Sequence, residues 1–358
     1  MITGHGGNIH QLAGELGCLP SDIIDMSSNV NPFGPPPGLL EMLAANLHLV
    51  TALPEVDAGS AVRAFAERFG LPPERVVPGN GTTQLIHTLP AALETRRALI
   101  LGPTYSDYAD ACRIHGVAFE FLQADTARQF AFDPDALFRA CRMADTVFIC
   151  NPNNPTGRLI PGPDIEDLCR RHPDTRFIID ESYLPFVIDG EAHSRIRSEL
   201  PNVVVLHSMS KIFRVPGLRI GFLAAPEAVV RAMRRYFLPW SLNSLAQEAV
   251  VHLMTRREII DPFVADCRLR LDRERKEMTA RLGSCPALEV FPSCTSFLLL
   301  RLRGGRSAGD VCAALAGERI LIRNCANFTG LSERFIRVSL KIPEINRMLA
   351  ERLERLLG

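Results

Sequence analysis

The sequence predicts an α/β protein: a mostly parallel central sheet with helices on both faces, followed by a small α+β domain. Three observations carry this. Between about residues 75 and 225, short β-branched runs alternate with amphipathic helical stretches. Those runs are apolar at nearly every position rather than at alternate ones. Beyond about residue 245 the pattern turns to long helices and then to a strand-rich tail. A strand apolar on both sides is one covered on both sides, the condition of parallel sheets joined by crossover helices.

In chain order, residues 1–45 form an N-terminal segment expected to pack with the small domain and the active site. The Pro/Gly-rich "NPFGPPPG" (31–38) crosses toward a large domain, 46–250. "VVPGNGTTQLIHTL" (76–89) reads as strand, glycine turn and helix. "RALILG" (97–102), "AFEFL" (118–122), "DTVFIC" (145–150), "RFIID" (176–180), "NVVVLHS" (202–208) and "RIGFL" (219–223) read as strands, the last an antiparallel exception. "DPDALFRACRM" (133–143) and "PDIEDLCRRH" (163–172) are amphipathic helices between them. The small domain, 251–358, holds the end of a helical stretch (245–283), "LEVFPSCTSFLLLRL" (288–302), a helix near 307–317, "RILIRN" (319–324), "RFIRVSL" (334–340) and a last helix.

Composition excludes some functions. The 40 Lys+Arg balance the 40 Asp+Glu, so no basic field exists to hold nucleic acid or an anionic membrane. An anionic ligand must be held by a local site. No apolar run reaches the length of a membrane span, and the first residues carry no basic region followed by an apolar block, so no signal peptide is expected. The ten scattered cysteines form no CxxC pair and read as buried thiols of a cytoplasmic protein, without a metal site.

Four polar clusters interrupt this apolar framework, several at strand ends, where open α/β sheets bind ligands. Gly79-Asn80-Gly81 turns tightly, and Thr82-Thr83 open a helix whose free amides suit a phosphate. "CNPNNPTGRL" (150–159) follows a strand and can turn an Asn amide into a cleft. "FIIDESYLPF" (177–186) delivers Asp180 and Glu181 to a strand end, Asp180 the more enclosed; a carboxylate there needs a partner, and a protonated heterocyclic nitrogen is a suitable one. "SMSKIFRVPGLRIGF" (208–222) carries one lysine, Lys211. A desolvated lysine near positive charge becomes a nucleophile for carbonyls, while Arg219 and the hydroxyls of Ser208 and Ser210 can grip a phosphate.

The order and spacing of these clusters resemble the fold-type I pyridoxal-phosphate enzymes of the aspartate aminotransferase superfamily, over nearly the whole chain. The resemblance implies a Schiff base on Lys211 and an Asp180 pairing with the pyridine nitrogen of pyridoxal 5'-phosphate, which makes the ring an electron sink. It implies that Asn154 and Tyr183 hydrogen-bond the ring's phenolic oxygen. Gly81, Thr82, Thr83, Ser208, Ser210 and Arg219 would hold the cofactor phosphate. Tyr105 would stack on the ring, with Tyr108 as the alternative. Arg337 matches the superfamily's substrate-carboxylate arginine.

Two end segments, "HGGNIHQLAGELGCLPSDIIDMSSNVNPFGPP" and "ILIRNCANFTGLSERFIRVSLKIPEINRMLAERL", resemble the threonine-phosphate decarboxylases of cobalamin biosynthesis, relatives of the histidinol-phosphate aminotransferases. This implies a small phosphorylated amino acid substrate, L-threonine O-3-phosphate, and a homodimer with shared sites. Arg337 is then assigned to the carboxylate and Arg323 to the substrate phosphate. His5 and Asn8 would fold over the phosphate, and Asn31 would serve the carboxylate side. One departure stands out. The family's tyrosine that reaches the partner subunit's cofactor phosphate is replaced here by Leu53, in "TALPEVDAGSAV". "PTYSDY" and "DESYLPF" look nearer to the aminotransferases and keep transamination as the alternative reaction.

Overall fold

A computed structural model describes residues 6–358. Its strands, in chain order, are β1 (Ile24–Asp25), β2 (Val76–Asn80), β3 (Arg97–Gly102), β4 (Ala118–Gln123), β5 (Thr146–Cys150), β6 (Arg176–Asp180), β7 (Val203–Ser208), β8 (Ile220–Ala224), β9 (Leu288–Val290), β10 (Phe297–Leu302), β11 (Ile320–Leu321), β12 (Arg323–Asn324) and β13 (Phe335–Ser339). β2 to β8 make one seven-stranded sheet in the order β2-β8-β7-β6-β5-β3-β4. The pairs from β4 through β7 are parallel, and β8 is antiparallel to both β7 and β2, as "RIGFL" predicts.

Burial explains the composition of each strand. β5, β7 and β8 are buried at every position, which is why their sequences do not alternate. β4 lies at the sheet edge and is largely uncovered, so it tolerates Glu120, which pairs with Arg97 of β3 at 2.8 Å. Below β7 and β8 the core is aromatic: Phe65 stacks on Phe222 at 4.1 Å, and the His207 ring meets Phe65 edge-on. The helix Gly81–Ala92 rides close to β8 because Gly221 has no side chain; a Cβ there would lie 2.5 Å from the Thr82 nitrogen.

The second sheet is antiparallel, in the order β12-β13-β10-β9. Three stretches of this C-terminal region, each read as one run in the sequence, are divided in the structure. "LEVFPSCTSFLLLRL" is two strands, since Pro292 removes a ladder donor and Ser293 turns the chain back onto Thr295. "RILIRN" also splits. Ile320 and Leu321 pair in parallel with Ile24 and Asp25, while Arg323 and Asn324 pair with β13. The helical stretch is two helices, Ser244–Thr255 and Arg257–Gly283, broken at Arg256. All ten cysteines are free thiols, six of them buried. Among the described residues no helix is long and apolar enough to cross a membrane.

Asn202, just ahead of β7, closes the C-terminus of the helix Gly162–Arg171. Its buried amide nitrogen lies 2.9 Å from the carbonyl oxygens of Cys169, His172 and Thr175. Asn202→Ala leaves those acceptors dry, and we expect a loss of about 2–3 kcal/mol in urea unfolding. A loss under about 0.5 kcal/mol would show that water or relaxation replaces the amide.

Candidate active site

Parallel pairing brings several strand ends to one edge of the sheet. Cys150 is in register with Asp180, and Asp180 with Leu206; Ser208 faces Gly221, and Asn80 faces Ile220. The loops leaving these ends enclose one cavity. It is lined by Gly81, Thr82, Thr83, Tyr105, Asn154, Asp180, Tyr183, Ser208, Ser210, Lys211 and Arg219, all of them singled out in the sequence, together with Tyr108, Cys150 and Ser182.

One end of the cavity is built for a phosphate. The helix Gly81–Ala92 starts without a side-chain cap, leaving its first amides for a ligand. Gly81 takes φ +74°, and the Arg219 guanidinium lies where its Cβ would be: a Cβ there would stand 2.6 Å from Arg219 Nη2. Ser208 and Ser210 are buried beside it.

The other end is built for a cation. Asp180 is 4% exposed. Its Oδ1 accepts the Ser182 amide at 3.0 Å and its Oδ2 accepts the Tyr108 hydroxyl at 2.8 Å. Among the described residues no cation lies within ion-pairing distance. Burial raises the Asp180 pKa, opposed by the bonds from Ser182 and Tyr108 and by the charge of Lys211. A buried carboxylate held by neutral donors alone fits a protonated ring nitrogen. Tyr108 is buried and stacks on Phe148 at 5.4 Å, so its hydroxyl is fixed on Asp180 and it has a task other than stacking. Tyr105 stands perpendicular to it at 5.9 Å and bonds Thr83 and Asp107. Lys211 Nζ lies 5.9 Å from the centre of the Tyr183 ring, and the Tyr183 hydroxyl receives the Asn29 amide at 3.4 Å.

Arg337 reaches the site from β13. It is 4% exposed, donates to Asn154 Oδ1 and, at 2.6 Å, to the Ser27 carbonyl, and its Nε is buried without a partner. Burial lowers its pKa, and among the described residues no carboxylate is within ion-pairing distance. Because Asn154 spends its oxygen on Arg337, its amide N–H groups remain for a ligand. Arg323 sits directly across the ladder from Arg337. It donates to Asn327 at 2.7 Å and lies over Phe328; burial lowers its pKa and the charge of Arg337 lowers it further.

Three expectations change. Asn31 is not at the cavity: its amide donates to the Ile212 carbonyl at 2.9 Å and to Cys267, and its oxygen accepts the Phe33 amide, tying the N-terminal segment to the Lys211 loop. Asn29, two residues earlier, takes the place beside Tyr183, with its oxygen on Ser339. Asn8 is exposed and caps the helix Ile9–Leu16; Gly6 lies nearer the site, where a Cβ would stand 3.5 Å from Arg337 Nη2. Glu181 is as enclosed as Asp180, at 2% exposed, but turns to Ser194 Oγ and the Arg195 amide. His5 lies outside the described residues. Ser27 and Asn29 were not picked out by the motifs, since neither stands in a distinctive pattern; Tyr108 was named only as the alternative to Tyr105, without its bond to Asp180.

Burial pushes the Glu181 carboxyl up to about 7, from an ordinary 4.5. Between those values the folded chain keeps a proton that the unfolded chain has lost, so this group's contribution to stability falls as pH rises. Glu181→Gln removes that slope. Measured by urea unfolding without cofactor, the variant should gain on the wild type from about pH 5 to 8, by about 3 kcal/mol at most. Asp180, raised, and His207, held down at about 4, titrate alike in both proteins and cancel. Parallel stability curves would contradict the assignment.

Comparison with known proteins identifies the family. The family model "Aminotransferase class I and II" matches residues 21–353. The threonine-phosphate decarboxylase of Salmonella typhimurium is 31% identical, covering 99% of this chain and 97% of its own. The histidinol-phosphate aminotransferase of Methanocaldococcus jannaschii is 26% identical, covering 96% and 92%. The crystal structure of L-threonine-O-3-phosphate decarboxylase from Porphyromonas gingivalis superposes with a TM-score of 0.84 at 30% identity, covering 94% and 99%. The chain therefore belongs to the class I and II aminotransferase family, whose cofactor is pyridoxal 5'-phosphate.

Proposed function

We propose that the protein decarboxylates L-threonine O-3-phosphate to (R)-1-aminopropan-2-ol phosphate and carbon dioxide, as a carbon–carbon lyase of cobalamin biosynthesis. The observation that carries this is the pair Arg337 and Arg323. Like charges directly opposite on a ladder destabilise it unless anions lie between them, and Arg337 is buried without a counter-ion. A substrate carboxylate would supply the counter-ion that Arg337 lacks, and a substrate phosphate would offset the repulsion between the two guanidinium groups. Similarity over 99% of the chain to a threonine-phosphate decarboxylase supports the same reading.

When bound, pyridoxal phosphate supplies an electron sink for the bond that breaks at Cα. The residues supply the rest. Lys211 is the covalent anchor. Asp180, held by Tyr108 and Ser182, keeps the ring nitrogen protonated. Asn154 and Tyr183 donate to the phenolic oxygen. The Gly81–Thr83 amides, Ser208, Ser210 and Arg219 grip the cofactor phosphate. Arg337 takes the substrate carboxylate and Arg323 its phosphate. Arg337 is braced from two sides, by Ser27 and Asn154, so it would hold the substrate carboxylate in one fixed orientation. A second reading, transamination of histidinol phosphate, is favoured by the Methanocaldococcus jannaschii relative, since an aminotransferase also handles a carboxylate on its amino-acid partner. We also infer a homodimer. Leu47, Val50, Leu53 (75% exposed), Val56, Leu238 and Trp240 are exposed apolar side chains on segments tied by a Trp240-to-Val56 backbone bond.

The deciding experiment gives the cofactor-loaded protein threonine phosphate with and without 2-oxoglutarate. Carbon dioxide release without 2-oxoglutarate is expected; activity that depends on 2-oxoglutarate and releases none favours the second reading. Arg337→Gln should lower kcat/KM on the order of a hundredfold or more in the same assay. Tyr108→Phe weakens the ionised form of Asp180. The pH midpoint of the cofactor's visible absorbance change should move upward, by up to about one pH unit. An unmoved midpoint would remove Tyr108 from the site's electrostatics.

A further inference from the structure

The loop from Cys150 to Arg158 borders a second and larger cavity, of about 650 Å³, outside the cofactor site. That is room for a molecule of drug-like size. Its walls are aromatic and aliphatic, with Phe130, Phe132, Phe138 and Leu168 among them. One charged side chain in it is unaccounted for. The Arg158 guanidinium makes no hydrogen bond and no ion pair among the described residues, and its Nε is sealed from solvent with no partner.

The other charges on the wall do not neutralise it. Arg171 pairs with Asp167 at 3.4 Å and lies 4.0 Å over the Phe138 ring. Asp164 is exposed and beyond ion-pairing distance of Arg158. The Cys294 thiol, whose pKa feels Arg158, is pushed by burial up to about 11 and stays neutral. Burying a guanidinium nitrogen without an acceptor costs free energy that a bound anion would return. Neither the cofactor nor the proposed substrate uses Arg158, and the Asn153 side chain, which also lines this cavity, is fully engaged with Thr104, Thr156 and the Pro103 carbonyl.

We propose that this cavity is a second ligand site, for a small aromatic carboxylate whose ring packs among the phenylalanines and whose anion pairs with Arg158. It is independent of which reaction the cofactor site performs. Calorimetric titration of the cofactor-loaded protein with naphthalene-2-carboxylate and its neutral isostere naphthalene-2-carboxamide tests it. The carboxylate should bind about tenfold tighter or more. Arg158→Met, with an unchanged melting curve, should erase that preference, and Arg158→Lys should keep part of it. Saturating threonine phosphate should leave the affinity unchanged. Equal binding of the two probes, no binding up to about 10 mM, an unaffected Arg158→Met protein, or displacement by threonine phosphate would each overturn the proposal.

Discussion

The site rests on two buried charges of opposite sign that the chain itself does not neutralise. Asp180 ends a central parallel strand with only neutral donors around it, and Arg337 lies in a central strand of the second sheet with only neutral acceptors. Each costs several kcal/mol to enclose when unpaired. The rest of the site follows from that constraint. Tyr108 and Ser182 offset part of the cost at one end, and Asn154 and the Ser27 carbonyl offset part at the other. What closes both accounts is a ligand cationic at one end and anionic at the other. A pyridinium ring joined to a substrate carboxylate has that distribution.

Rigidity makes the arrangement possible. Asp180 stands on a strand hydrogen-bonded on both sides, and Tyr108 is clamped against Phe148. Arg337 is paired on both edges, with Leu299 and with Arg323. The N-terminal segment then joins the two parts. β1 pairs with β11, Ser27 holds Arg337, Asn29 bridges Tyr183 to Ser339, and the Asn31 amide donates to the Lys211 carbonyl. Four contacts within eight residues hold the arginine and the lysine in one frame.

Much of this was legible in the sequence because burial leaves a compositional trace. β5 and β7 have no polar position to spare, so continuous apolar runs located them within a residue or so. Glycine turns and strand-end polar residues led to one shared cavity for the same reason, since each breaks an apolar pattern at some cost. Tertiary pairing leaves no such trace. "RILIRN" reads as one strand, and only the competition between β1 and β13 for its two halves divides it. In "SSNVNPF" two asparagines stand two residues apart, and nothing local tells which reaches the site. The loop turns Asn29 toward Tyr183 and spends Asn31 on the backbone of Ile212. Tyr108 looked like a spare for Tyr105 because sequence reports a ring and not the direction of its hydroxyl.

The adjacent carboxylates make the same point in energetic terms. Asp180 and Glu181 are both enclosed, yet successive residues leaving a strand face opposite ways. Glu181 accepts from Ser194 and the Arg195 amide, donors that favour its ionised form, yet burial outweighs them and pushes its carboxyl up to about 7. Asp180 meets an open cavity and a lysine, a setting that suits its ionised form once a cation arrives. Exchanging their environments would put a proton where the ring nitrogen needs a negative charge. The parity of one strand end, rather than the presence of an acidic pair, therefore decides that this edge of the sheet can hold a protonated heterocycle.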